Sequence, residues 1–73
     1  MGDRSRRTLG ALLRSFRVEA KLRQSDVALS MHKSQSFLSK VEGGEQKVDI
    51  LDLLQLLALY KRSLSELEKR LRT

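Results

Sequence analysis

Apolar positions along the 73 residues fall into five groups at helical spacing, separated by short polar breaks. Leu9, Leu12, Leu13, Phe16 and Ala20 form one stripe and predict a first helix, on the core, over about Leu9 to Lys21. Val27, Ala28 and Met31 recur on one side of a short second helix that opens with polar Gln24, Ser25 and Asp26. The periodicity lapses over Met31, His32 and Lys33. Ser34 then suits the N-cap of a third helix, because its hydroxyl can accept an orphan backbone N–H. In that helix Leu38 and Val41 point one way, while Gln35, Ser36, Ser39 and Lys40 point the other. Gly43 and Gly44 end it by permitting a left-handed residue.

Asp49 is placed to cap a fourth helix over about Ile50 to Tyr60, with Asp52 near its positive end. Ser63 to Glu66 has the capping-box pattern and opens a fifth, in which Leu64, Leu67 and Leu71 share a face. Ile50, Leu53, Leu54, Leu57 and Tyr60 can fill the core, yet Leu51, Leu56 and Leu59 spread apolar groups over much more of helix 4. With Leu71 these leucines are expected to form a homodimer interface, the competing arrangement being helix 5 covering helix 4 within one chain.

Length allows one small domain, with no room for an enzyme core beside a binding module. Charge changes the picture more. Lys and Arg number 15 against 9 Asp and Glu, a net +6 that suits a polyanionic partner. Residues 1–8 carry Arg4, Arg6 and Arg7 with no apolar side chain between Met1 and Leu9; they read as a flexible basic arm that can follow a phosphate backbone, ahead of a domain over 9–73. The competing reading is a disordered terminus. Thr8 is expected to cap helix 1. There is one His and no Cys, so neither a metal site nor a cofactor is expected, and no nucleophile–base set or carboxylate pair points to an enzyme. The longest apolar stretch, Ile50 to Tyr60, is too short to span a membrane. A cytoplasmic, nucleoid-associated protein is expected.

The polar face of helix 3 carries the candidate chemistry. Gln can bond adenine bidentately, Lys can reach guanine acceptors and Ser can serve several partners, so Gln35, Ser36, Ser39 and Lys40 are candidates for reading base edges in the major groove. Such residues also cover ordinary solvated helices. The wider pattern resembles the phage repressor and Cro type of helix-turn-helix proteins: Leu9-Gly10, Leu13, Phe16 and Arg17; then Leu22, Gln24, Val27 and Ala28; then Phe37 to Glu42 and Gly44; then Ile50, Leu53, Leu54, Leu56 and Ser63 to Leu67. This resemblance covers nearly the whole chain. It implies a compact, all-α, five-helix lambda-repressor-like DNA-binding domain. It further implies that Gln24 and Ser34 hold phosphates, that Lys47 lies near the DNA backbone, and that Arg17 pairs with Glu42 as a structural ion pair.

The departures from that family are informative. Lys21 stands where it usually has Gly, Arg23 where it has a Ser or Thr cap, His32 and Lys33 where its turn has Gly and a small apolar residue, and Val48 where it often has Pro. Helix 2 is therefore expected to be poorly capped, with Asp26 compensating at its positive end, and His32 to adopt a left-handed conformation. The expected function is a sequence-specific DNA-binding transcription regulator: a dimeric repressor placing the 34–43 helix in the major groove of a palindromic operator. The alternative is an antitoxin-like or anti-repressor module that grips a protein partner through helices 4 and 5.

Overall fold

The structure is a computed structural model and describes residues 3–72, except for the side chains of Asp3 and Arg4. Five helices follow one another: α1 Asp3–Glu19, α2 Gln24–Ser30, α3 Gln35–Glu42, α4 Ile50–Tyr60 and α5 Leu64–Arg72. The described residues contain no strand. α1 is the spine, packed against α3, α4 and α5, while α2 lies on α3. No described helix is long and apolar enough to cross a membrane.

The core is drawn from all five helices: Leu13 and Phe16, then Val27, Ala28 and Met31, then Leu38 and Val41, then Leu56, Leu57 and Tyr60, and finally Leu67. Leu9, Leu12, Ala20, Leu53 and Leu59 pack around it, half-buried. Two sequence expectations need correction. α1 begins at Asp3 rather than Leu9, so residues 3–8 are helical rather than an irregular arm, and Thr8 lies inside the helix instead of capping it. The reason is tertiary: a Cβ on Gly44 would lie 2.8 Å from the Arg7 Cα, so this first stretch of α1 rests against the end of α3 without any apolar residue to announce it. Met1 and Gly2, the rest of the expected arm, lie outside the described residues.

The second correction concerns α4. Leu56, expected at a dimer interface, is fully buried, and Leu59 is half-buried against the core. Conversely Ile50 and Leu54, expected inside, are 56% and 45% exposed. Both arcs of this helix are apolar, and only its rotation against α1 decides which faces inward. The arc of Leu53, Leu56, Leu57 and Tyr60 won.

The first four helices end in one device. At each end one N–H reaches back five residues, and the N–H before it reaches back three, to the following carbonyl: Leu22 to Arg17 with Lys21 to Val18, Lys33 to Ala28 with His32 to Leu29, Glu45 to Lys40 with Gly44 to Val41, and Arg62 to Leu57 with Lys61 to Ala58. Each pairing needs a left-handed residue. Gly44 supplies one at φ 78°, but Lys21, His32 and Lys61 adopt φ of 61°, 56° and 57° despite their Cβ atoms. His32→Gly is therefore expected to raise unfolding free energy by about 1 kcal/mol in a denaturant titration. Lys21→Gly and Lys61→Gly are expected to gain less, since each also removes a cation from a negative helix end. An unchanged or lowered midpoint for His32→Gly would show that its ring makes contacts worth more than the strain.

The helix starts are capped locally. Ser34 Oγ accepts the Phe37 N–H at 3.0 Å, and Asp49 Oδ1 accepts that of Asp52 at 2.8 Å. At α2, where Arg23 offers no cap, Asp26 Oδ2 accepts the Arg23 backbone N–H at 3.2 Å, and the Arg23 side chain holds that carboxyl below its usual range. Ser63 Oγ accepts the Glu66 N–H at 3.0 Å. The Glu66 carboxylate does not close the box; it pairs with Arg62, which also pairs with Glu19 and lies 4.9 Å over the Phe16 ring. Arg62 thus ties α5 to the end of α1.

Candidate nucleic-acid interface

The geometry of α3 follows from its phase. At about 100° per residue, Gln35, Ser36, Ser39 and Lys40 span roughly 140° of its circumference. All four are exposed, while Leu38 and Val41 on the opposite side, and Glu42 at the edge of the arc beside Gln35, are buried. α3 is fastened by the close approach of α1: a Cβ on Gly10 would fall 2.5 Å from the carbonyl oxygens of Val41 and Glu42, so only glycine lets the two helices touch there.

Beneath the exposed face lies a chain of hydrogen bonds. Arg17 Nε donates to Glu42 Oε2 at 2.7 Å and Nη2 to Oε1 at 3.2 Å, while Nη1 donates to the Leu22 carbonyl at 2.9 Å. The pair is largely shielded, with side chains 12% and 3% exposed. Hydrogen bonding to Glu42 holds the Arg17 guanidinium above its ordinary pKa against the opposing pull of burial. The Tyr60 hydroxyl beside them is buried without a hydrogen-bond partner, and burial, then the Glu42 charge, pushes its pKa up, so it stays a neutral phenol.

Glu42 also accepts from Gln24 Nε2, at 2.9 Å. A carboxylate only accepts, so it dictates which end of the Gln24 amide faces it. The Gln24 Oε1 is thereby turned outward, where Gln35 Nε2 donates to it at 3.5 Å. A buried ion pair thus sets the orientation of an exposed side chain on α3. Nothing in the spacing of two glutamines eleven positions apart signals this; that both open a helix was the one available clue.

Other candidates lie around this centre. Ser34 is exposed; its oxygen serves the cap, and its own proton remains available to an acceptor. Arg6 and Arg7 line a cleft with Gly43, Gly44 and Glu45, and Lys47 is exposed in the loop that follows. The Arg4 side chain lies outside those described. Lys33, marked in the sequence only as a departure in the turn, places its Nζ 3.8 Å from Asp52 Oδ2 and 5.1 Å above the Phe37 ring, tying the turn between α2 and α3 to α4. Of the expected interface leucines, Leu51 and Leu71 are exposed, at 74% and 42%.

No curated protein matches the chain. A family model described as a helix-turn-helix domain matches residues 8–69, which takes in α2, α3 and the turn between them together with α4 and most of α1 and α5. The chain therefore belongs to the helix-turn-helix domain family of DNA-binding proteins.

Proposed function

We propose that the protein is a sequence-specific transcription regulator that lays α3 in the major groove of a palindromic operator and represses as a homodimer. The observation that carries this reading is the pair Gln24–Gln35 anchored on Glu42. Gln35 spends one N–H on Gln24 and keeps one N–H and its Oε1, the donor and acceptor that the N7 and N6 edge of adenine requires. Gln24 keeps a second N–H, suited to a phosphate oxygen, so one side chain fixes register and steadies its neighbour. Ser36, Ser39 and Lys40 complete the reading face, with Lys40 toward guanine acceptors. Ser34, Lys47, Arg6 and Arg7 supply phosphate contacts, a role that Arg4 would share. A repressor needs no more than occupancy of such a site.

Selection of bound sequences from a random duplex pool tests this. A two-fold symmetric site, bound at least about a thousandfold tighter than a scrambled duplex, is the expected result. Gln35→Ala should then lose about 1–3 kcal/mol at one adenine position. Lys47→Ala should weaken all sequences alike and lower the salt slope by about one. A double-mutant cycle of Gln24→Ala with Gln35→Ala on the selected site is expected to be non-additive. Additive losses, or weak binding to every sequence that vanishes with salt, would overturn the reading.

A further inference from the structure

We propose that the outer face of α4 seats a second copy of this chain, and that this seam is too small to hold the pair together off DNA. Ile50, Leu51, Leu54, Gln55 and Ala58 follow at i, i+1, i+4, i+5 and i+8 and share one arc, opposite the buried Leu56 and Tyr60 and flanked by the buried Leu57. All five are exposed, Leu51 at 74%. No charged side chain falls in this arc, although a third of the chain is charged. The outer side of α5 is different. There Leu64 and Leu71 stand among Glu68, Lys69, Arg70 and Arg72, with Arg72 paired to Glu68 and Arg70 to Glu66.

Charge selects the occupant. Two copies each carrying +6 repel, so they can approach closely only where neither presents a cation. A two-fold contact also requires a patch complementary to itself, which an uncharged apolar stripe satisfies. A foreign acidic partner would find nothing in this arc to recognise.

Size sets the strength. Four apolar side chains expose on the order of 400 Å², about half of the roughly 800 Å² per partner that a stable interface buries. The free protein is accordingly a monomer at micromolar concentration. This next step rests on the DNA-reading proposal: adjacent half-sites hold two copies at a high effective concentration, which closes the seam and makes the second binding event favour the first.

The test has two arms. In the first, the full chain is diluted from millimolar to micromolar while backbone and methyl resonances are followed. Shifts at Ile50, Leu51, Leu54 and Ala58 are expected to move with concentration, those of Leu64 and Leu71 to stay still, and Leu51→Glu to abolish the movement with the fold intact. A silent stripe, or movement centred on α5, would overturn the seam and leave α4 to a foreign protein. A dimer persisting at nanomolar concentration would overturn its weakness. In the second arm, duplexes with one or two selected half-sites are titrated. A gain of at least about tenfold per half-site on the double site is expected, lost in Leu51→Glu while single-site affinity is kept. Absence of that gain would overturn the coupling. If no duplex is preferred at all, the DNA-reading proposal fails, and the dilution arm still decides the seam.

Discussion

Replacing Glu42 with alanine is expected to lower the unfolding free energy by about 3–5 kcal/mol, because the Arg17 guanidinium would remain shielded without its acceptor. A domain of this size is held by only about 4–11 kcal/mol, so much of the variant should be unfolded at modest denaturant concentration. The loss is not a measure of the ion pair's net worth. Glu42→Leu combined with Arg17→Met removes both charges and should recover most of the stability, since an apolar pair of similar volume leaves no charge buried and unpaired, and only the Leu22 carbonyl and the Gln24 amide lose a partner. Denaturant titrations of the single and double variants separate these cases. Glu42→Ala unfolding at the native midpoint would show the pair to be dispensable. The double variant has a further use: folded but lacking the anchor for Gln24, it should bind DNA with reduced discrimination at the adenine position proposed for Gln35.

Gly10→Ala should lower stability by about 3 kcal/mol, although alanine is the better helix former by about 1 kcal/mol. The added methyl would lie 2.5 Å from two backbone carbonyl oxygens of α3, which cannot swing aside as a side chain can. α1 must lift from α3, loosening the site where Arg17 meets Glu42. Gly43→Ala is the internal control. Its added methyl would meet nothing closer than 3.4 Å, and the residue already has an ordinary right-handed conformation, so its stability should change little. Equal midpoints for the two alanine variants would refute the close-approach account.

Much of the candidate site was legible before the structure. Ser34 as N-cap and the exposed arc of Gln35, Ser36, Ser39 and Lys40 follow from local rules, helical period and cap chemistry, whereas the left-handed His32 was expected because it stands where the resembled family has Gly. The meeting of Arg17 with Glu42 came only from likeness to a family. The bond from Gln24 to Glu42, and from there the steadying of Gln35, was not legible at all, because it joins residues of three helices whose relative placement is a property of packing.

The helices themselves show where that boundary lies. The sequence alone determined that there would be five of them, where α3 and α4 begin and end, and that α3 has one face to bury and one to expose, since each of these depends on neighbours within a turn or two of chain. Only the tertiary structure decided that α1 extends back to Asp3, because the turn carrying Arg7 is supported by Gly44, distant in sequence. It alone decided that Leu56 is core while Ile50 and Leu54 face outward. Both arcs of α4 are hydrophobic enough to be buried, and a period cannot choose between two apolar faces; the shape of α1 against which one of them fits can.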